Sequence, residues 1–475
     1  MGLRQLEQSM SSVLLAMVAY VLVQFGIGIY VSRRVSSEAD YILAGRSLGT
    51  GLVAFSVFAS FFGAEVIVAS AGAVYERGIS GAAVDPFGYG IALLVVGVFF
   101  AAPLWSRGLT TFADLFAQRY SPGVEKLVVL MLLPGSIFWA AAQIRAFGQV
   151  LSANSTLDLA TAITVAAVLV AAYSVVGGLM ADSVTDVIQG LAVILGLMVL
   201  AVVVWNIAGP VAHVVTEPRA GPDSVVETGG FLKGLEGLVI PICGTVVSVE
   251  LISRFLGSRS KTVAATGTGI GALMYLVVGI IPVYLGLKGA AILPGLSEPE
   301  QIVPKLAEAL LPGALRIAFV GAIISAILST VHSALHGPAS QISHNIVLRT
   351  FPGLPARVKL WVVRGSVMAL SVVAYSLSLS SERIHDLVEL ASAFGSAGVF
   401  VVAIFALYTN FGGSASAYGA LAAGMLVWLV ARFGFGWQAP YLLAVILAFV
   451  TYVALARVGS NQTDVLASER ANVLA

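Results

Sequence analysis

Runs of about 20 apolar residues, the length a helix needs to cross a hydrocarbon layer, recur from one end of this chain to the other. No other feature narrows the fold as much. A segment in lipid has to satisfy its own backbone hydrogen bonds, and a helix does so within a single segment. The composition agrees: 59% of residues are hydrophobic and 10% charged, with a mean hydropathy of +0.97. The expectation is an all-α polytopic membrane protein, one transmembrane domain over residues 1–475. Read at that length, the runs number about thirteen. The first is Ser12–Val31, the second Gly51–Val74, the seventh Leu235–Leu256, the ninth Leu315–His336, the eleventh Ile384–Tyr408 and the last Tyr441–Val458.

Charge sets orientation and excludes some partners. A net charge of +1 gives nucleic acid no electrostatic footing. The single cysteine, Cys243, lies in an apolar run and leaves neither a disulfide framework nor a zinc spacing. No basic n-region with a cleavage site precedes the first run, so it is expected to stay as a membrane helix. Lys and Arg concentrate in alternate loops: Arg33, Arg34 and Arg46; Arg107, Arg119 and Lys126; Arg254, Arg259 and Lys261; Arg349, Arg357 and Lys359. By the positive-inside rule the N-terminus is outside and the C-terminal tail cytoplasmic. Basic residues that are mostly Arg, in an Ala/Gly/Val-rich chain, point to a bacterial plasma (inner) membrane. The stretch Gln301–Leu311 is amphipathic and reads either as a short surface helix or as a plain connector.

Polar residues inside apolar runs are the next constraint, because each is costly in lipid without a partner or water. Ser325, Ser329, His332 and His336 are spaced by four, three and four residues, which puts them on one helix face. Hydroxyls in such a helix also have a local option, the carbonyl four residues earlier. Two runs are interrupted: Ala59–Glu65 contains Gly63, and Val239–Ser248 contains Pro241 and Gly244. Gly and Pro weaken a helix and free carbonyls that can ligate a cation. The interruptions fall in the second and seventh runs, so a five-segment unit recurs, and an odd-numbered unit that recurs is inverted in the membrane. The first inverted repeat then covers about 51–208 and the second about 235–433, flanked by helices at 12–31 and 441–458. Paired breaks of this kind belong to alternating-access carriers.

Glu65 follows the first break, Arg145 lies two residues after Gln143 in the fourth run, Asp186 opens the sixth, and Glu250 ends the seventh. Asp186 is the best partner for the polar stripe, since a cation site needs oxygen ligands and negative charge. Arg145 offers a planar donor fork to a carboxylate, or else serves as a structural pair with Glu65 or a snorkelling residue. Trp139 and Tyr89 either line a solute pocket or pack. His332 and His336 either titrate near neutral pH or hydrogen-bond as neutral rings. No nucleophile–base pair or metal motif supports an enzyme.

Three stretches carry a family resemblance: Asp40–Gly49 (DYILAGRSLG), Gly177–Gln189 (GGLMADSVTDVIQ) and Gly321–His336 (GAIISAILSTVHSALH). Through them the chain resembles the sodium/solute symporter family, with its inverted five-plus-five-helix bundle of the leucine-transporter type. Phe138–Ala142 (FWAAA) and Asp85–Tyr89 (DPFGY) resemble the choline-transporter-like branch. The resemblance implies a sodium site of carbonyls from Ala59, Phe62 and Ala326 and hydroxyls from Ser329 and Thr330, with Asp186 beside it. A further ion position of the family falls on Asp186, His332 and Ser333, where an imidazole is a poor sodium ligand, so one coupled sodium is expected. The implied solute pocket takes in Phe61, Glu65, Tyr89, Trp139, Gln143, Arg145 and Ser248. Phe61 and Ser248 stand where the choline branch has tryptophans, and Arg145 opposes a cation. The expected function is therefore sodium-coupled import, across the lipid bilayer, of a small organic solute bearing a carboxylate. Proton coupling through Asp186 and His332, and a transporter-like membrane sensor, are the alternatives. The sequence assigns neither the solute nor an oligomeric state.

Overall fold

The computed structural model describes residues 19–208 except 21, 34 and 154, and residues 230–474 except 381–383. The start of the first expected helix and most of the stretch 209–233 lie outside the described residues. Among the described residues, nine helices are long and apolar enough to cross a membrane, ten when the bent pair Gly234–Val246 and Val249–Leu256 is one span. Three further apolar helices are shorter: Leu22–Ser32, Thr50–Phe61 and Ser396–Tyr408. Large apolar side chains such as Val98, Leu195, Val202 and Leu426 are exposed on these spans. That exterior suits lipid rather than water.

The helix ends follow from local chemistry. Ser260 caps Lys261–Ile292, its hydroxyl accepting from the Val263 N–H at 3.2 Å. Asp158 caps Leu159–Val176, accepting from the Thr161 N–H at 3.0 Å. Each side-chain oxygen satisfies a donor that the first turn leaves without a helical partner.

The polar stripe lies on the helix Gly313–Gln341, buried almost without interruption from Phe319 onward. It packs against the long helix Pro122–Ala153, the helix Leu179–Ala208 and the helix Thr50–Phe61. This last helix is the first half of a broken element: helical turns stop after Phe61 and resume at Glu65–Ser70 and Ala71–Arg77. Lys261–Ile292 runs tightly along it, and a methyl at Gly271 would sit 2.6 Å from the Ala54 carbonyl oxygen. Small residues at such crossings allow backbones to approach, the usual packing device in lipid.

The second broken element is Gly230–Val246 followed by Val249–Leu256, bent by 43°. Its far end is tied to the segment before the first broken helix: the Leu48 N–H donates to the Gly257 carbonyl (3.1 Å) and the Arg259 N–H to the Leu48 carbonyl (3.0 Å). The run expected at Ile384–Tyr408 is divided as well, into Ile384–Ala393 and Ser396–Tyr408, parted at Gly395 with φ +72°. The amphipathic stretch forms the helix Ile302–Leu310, which buries Ile302, Val303, Leu306 and Ala307. Just before it, the Glu300 backbone rests on Gly72 so closely that a methyl there would be 2.8 Å from the Glu300 Cα. The segment is thus packed on the first broken helix and is not a loose connector.

Candidate functional site

The first break presents backbone oxygen to the stripe. Phe62 leaves the helix at φ −86°, ψ 65°, its N–H still donating to the Phe58 carbonyl at 2.8 Å. Carbonyls in the last turn of a helix lose their helical partners and take others. Here Thr330 Oγ1 lies within donating distance of two of them, Ala59 O (3.2 Å) and Ala326 O (3.0 Å). A hydroxyl has one proton, so it cannot donate to both at once. Two carbonyls and a hydroxyl therefore converge where one more positive centre would satisfy them all. Beside them Asp186 accepts from Ser56 Oγ (2.6 Å) and from Ser329 Oγ. Every atom of this cluster is oxygen, the donor type that a hard cation takes.

Gly63 is required by crowding. A methyl there would lie 2.6 Å from Thr330 Oγ1 and 2.9 Å from both Gln143 Oε1 and Glu65 Oε2. Gln143 bridges the break itself: its Oε1 accepts from the Ala64 N–H (3.2 Å) and its Nε2 donates to Glu65.

A cavity opens on the other side of Glu65. Its walls come from both broken elements, the long helix and the turn near Phe394; Phe61, Glu65, Trp139, Ser248, Glu250 and Tyr275 are among the lining residues. Phe61 and Trp139 meet with ring centroids 5.3 Å apart. Tyr89 also lines it, its hydroxyl 2.5 Å from Ser392 Oγ. Ser248 caps the helix Val249–Leu256 and donates to Glu250 Oε2 at 2.8 Å. The lining includes two carboxylates and several aromatic faces, and among the described residues no Lys or Arg.

These arrangements can be set beside known proteins. Residues 41–427 match the sequence model of the sodium:solute symporter family. The chain belongs to that family. It is 26% identical over 436 residues to the human high affinity choline transporter 1, covering 86% of this chain and 74% of that one. The Torpedo marmorata high-affinity choline transporter 1 is 27% identical over 428 residues, covering 86% and 71%. Among solved structures, the substrate-bound outward-open state of a Na+-coupled sialic acid symporter superposes with a TM-score of 0.79 at 15% identity, covering 93% of this chain and 97% of that one. The fold is thus that of the leucine-transporter type, and this member of the sodium:solute symporter family is a membrane transporter rather than an enzyme.

Most residues expected to act together in this symporter are brought together. Ala59, Phe62, Ala326, Ser329, Thr330 and Asp186 surround the first break, and Phe61, Glu65, Tyr89, Trp139 and Ser248 line the cavity. Gln143 stands behind Glu65 rather than in the lining. Arg145 does not reach the cavity: its guanidinium donates to the Ser378 carbonyl at 3.1 Å, on the helix Ala356–Ser380. The reason is rotation. Two residues turn a helix by about 200°, so Arg145 faces away from Gln143, whereas Trp139 and Gln143, four apart, share a face.

The two histidines pack. Their rings stack at 5.6 Å, Tyr173 meets His332 edge-on at 5.3 Å, and His336 Nε2 lies 3.0 Å from the Tyr41 carbonyl. A carbonyl only accepts, so that nitrogen carries the proton. Ser333 Oγ is 2.9 Å from Ser60 Oγ and accepts from Arg254. Arg254, counted in the sequence among loop charges, is instead fully buried and ion-paired with Asp182. Sequence reasoning missed Asp182, Arg254, Tyr275 and Ser392. The signal for Arg254 was available: an arginine inside a run read as membrane-spanning is a functional candidate by default.

Proposed function

We propose that this symporter takes up a small organic cation, an amine or quaternary ammonium, coupled to sodium by alternating access across a plasma membrane. The observation that carries the solute class is the cavity wall, where Glu65 and Glu250 face Phe61, Trp139, Tyr89 and Tyr275 with no basic side chain among the described lining residues. Carboxylates balance a positive charge, and aromatic faces attract one through their quadrupoles. The carboxylate-bearing solute expected from the sequence rested on Arg145, whose guanidinium is turned to Ser378. The choline-transporter relatives agree with a cationic solute.

Sodium is read at Ala59, Phe62, Ala326, Ser329 and Thr330, with Asp186 supplying negative charge nearby. The convergence of Ala59 O, Ala326 O and Thr330 Oγ1 supports this reading. The repeats are read at about 51–208 and 235–433, each opening on a broken helix. Coupling follows from the shared stretch Ala59–Glu65. An ion on the Ala59 carbonyl fixes the break, the break holds Ala64 against Gln143, and Gln143 holds Glu65 toward the solute. Each ligand then raises the affinity of the other, as linkage requires.

Thermal-shift titration of the purified protein tests both parts, using quaternary ammonium, primary amine and carboxylate panels with and without sodium. Stabilisation by ammonium compounds, deepened by sodium, is expected. Stabilisation by carboxylates alone overturns the solute class. Uptake driven by a pH gradient without sodium overturns the coupling ion.

A further inference from the structure

We propose that the Arg254 guanidinium is a resident cation of the buried ion cluster, and that its presence limits the transporter to one coupled sodium ion per cycle. The inference rests on the cation-site reading given above and extends it to stoichiometry.

Arg254 sits in the last turn of Val249–Leu256 and is fully buried, as are Asp182 and Asp186 on the helix Leu179–Ala208. It pairs with Asp182 and donates to Ser333 Oγ. Ser333 in turn lies 2.9 Å from Ser60 Oγ on the first broken helix and donates to the Ser329 carbonyl at 3.0 Å. The Ser329 hydroxyl closes the chain on Asp186. The guanidinium and Asp186 therefore belong to one continuous polar cluster linking four elements, although Arg254 comes from the far half of the second broken helix.

Charge arithmetic in this cluster is restrictive, because uncompensated charge is expensive where water is absent. With both carboxyls ionised, Asp182 and Asp186 contribute two negative charges and Arg254 one positive charge; Glu250, one turn before Arg254, has its own donor in Ser248 and lines the cavity instead. The imidazoles of His332 and His336 are neutral, since protonating His332, whose Nε2 is 3.7 Å from Asp182 Oδ1, would add a second cation to a carboxylate already paired with Arg254. One positive charge is missing, and Asp186, held by hydroxyls alone, is where it is missing. A single sodium completes the balance. A second would leave the cluster with excess positive charge, unless Arg254 were removed.

A merely structural tie between two helices predicts different consequences, so charge variants separate the two. Asp182→Asn leaves Arg254 unneutralised beside the ion site, and sodium affinity is expected to fall by about tenfold or more. The double variant Asp182→Asn with Arg254→Gln removes both charges and is expected to restore the affinity to within about threefold of wild type. Arg254→Gln alone leaves two carboxylates, and the Hill coefficient for sodium is expected to rise from about 1 toward 2. These are read by sodium titration of thermal stability and of solute uptake in proteoliposomes. A double variant as impaired as Asp182→Asn, with a Hill coefficient unchanged in Arg254→Gln, overturns the proposal. Should the variants fail to fold, reversal-potential measurement on the wild-type protein decides: one sodium coupled per solute supports the proposal, and two overturn it while leaving the sodium site intact. A wild-type protein with no sodium response removes the site reading itself, and this inference with it.

Discussion

The two broken helices solve one problem with opposite chemistry. Both interrupt a span and border the same cavity. The first break has no side chain at its centre: Gly63 is enclosed by oxygens from Thr330, Gln143 and Glu65, and the ligands on offer are carbonyls. The second break, at Val247 and Ser248, is capped by a side chain, Ser248 Oγ accepting from the Leu251 N–H at 3.4 Å. It is followed at once by ionisable residues, Glu250 and Arg254, both buried. Toward the stripe the first break thus supplies neutral oxygen, its one carboxylate, Glu65, lining the cavity, while the second supplies charge to both sides through Arg254 and Glu250. A cation site built on the first can be tuned from the second through the contacts of Arg254 with Ser333 and Asp182.

The sharpest way to break this comparison is Gly63→Ala. The added methyl would stand 2.6 Å from Thr330 Oγ1, so either the break or the stripe has to move. Overpacking of this kind costs about 1–3 kcal/mol, and here it acts on the ligands themselves. Sodium half-saturation for uptake should rise by up to about 100-fold, with expression and helicity retained. Unchanged sodium dependence would mean that the first break does not bind the ion. Ser329→Ala comes next. It takes one of the two hydroxyls from Asp186, leaving Ser56, and sodium affinity should weaken by about tenfold while the protein stays folded. Wild-type sodium affinity in that variant would remove Ser329 from the site.

The residues in these tests were legible because each is polar, or lacks a side chain, within an apolar run. Ser329, Thr330 and Asp186 could not be ordinary lipid-facing positions, and period 3.6 put the stripe on one face. The local option operates in the same helix: Ser325 donates to the Gly321 carbonyl (2.9 Å) and Ser340 to the His336 carbonyl (2.7 Å). Spacing says which residues share a face but not which neighbour the face meets. For that reason spacing did not show that His332 and His336, on the same stripe as Ser329, stack on each other and pack against Tyr173 and Tyr41. Arg145 was misdirected by ignoring rotation relative to Gln143. The interruption at Gly395 was illegible, because a lone glycine in an apolar run has no polar signature, yet it brings Ser392 and Phe394 to the cavity. Arg254 was hidden by a boundary: three charged residues within Arg254–Lys261 blur where a span ends, and a loop arginine and a buried one look alike at that edge.

At the second break the effect should be smaller. Ser248→Ala removes a helix cap worth about 1 kcal/mol, so the melting temperature should fall by about 2 °C or less. It also takes a hydrogen bond from Glu250, and because water entering the cavity can replace the lost donor, solute affinity should drop by only a few-fold, less than the full value of one bond to a charged group. Sodium half-saturation measured without solute should change by less than about twofold, because the first break keeps its ligands. A large loss of sodium affinity here, comparable to that of Gly63→Ala, would erase the division of labour between the breaks.

The smallest effect is expected at Pro241, the residue that drew attention to the second break. The helix Gly230–Val246 runs through it, and the chain leaves helical geometry only at Val247 and Ser248. A proline within a helix deletes one hydrogen bond and crowds the carbonyl four residues earlier, but neighbouring helices in a membrane absorb that cost. Pro241→Ala returns the N–H donor and loses the ring's packing against Gly88, where a methyl would lie 3.3 Å from the proline Cγ. The two contributions oppose each other and are each about 1 kcal/mol, so stability should barely change. Sodium and solute half-saturation should stay within about twofold of wild type, since neither the Ser248 cap nor the Glu250 contact involves Pro241. If uptake instead collapsed, the break would owe its position to the proline rather than to the serine cap, and the contrast between a glycine-centred break and a side-chain-capped one would have to be redrawn.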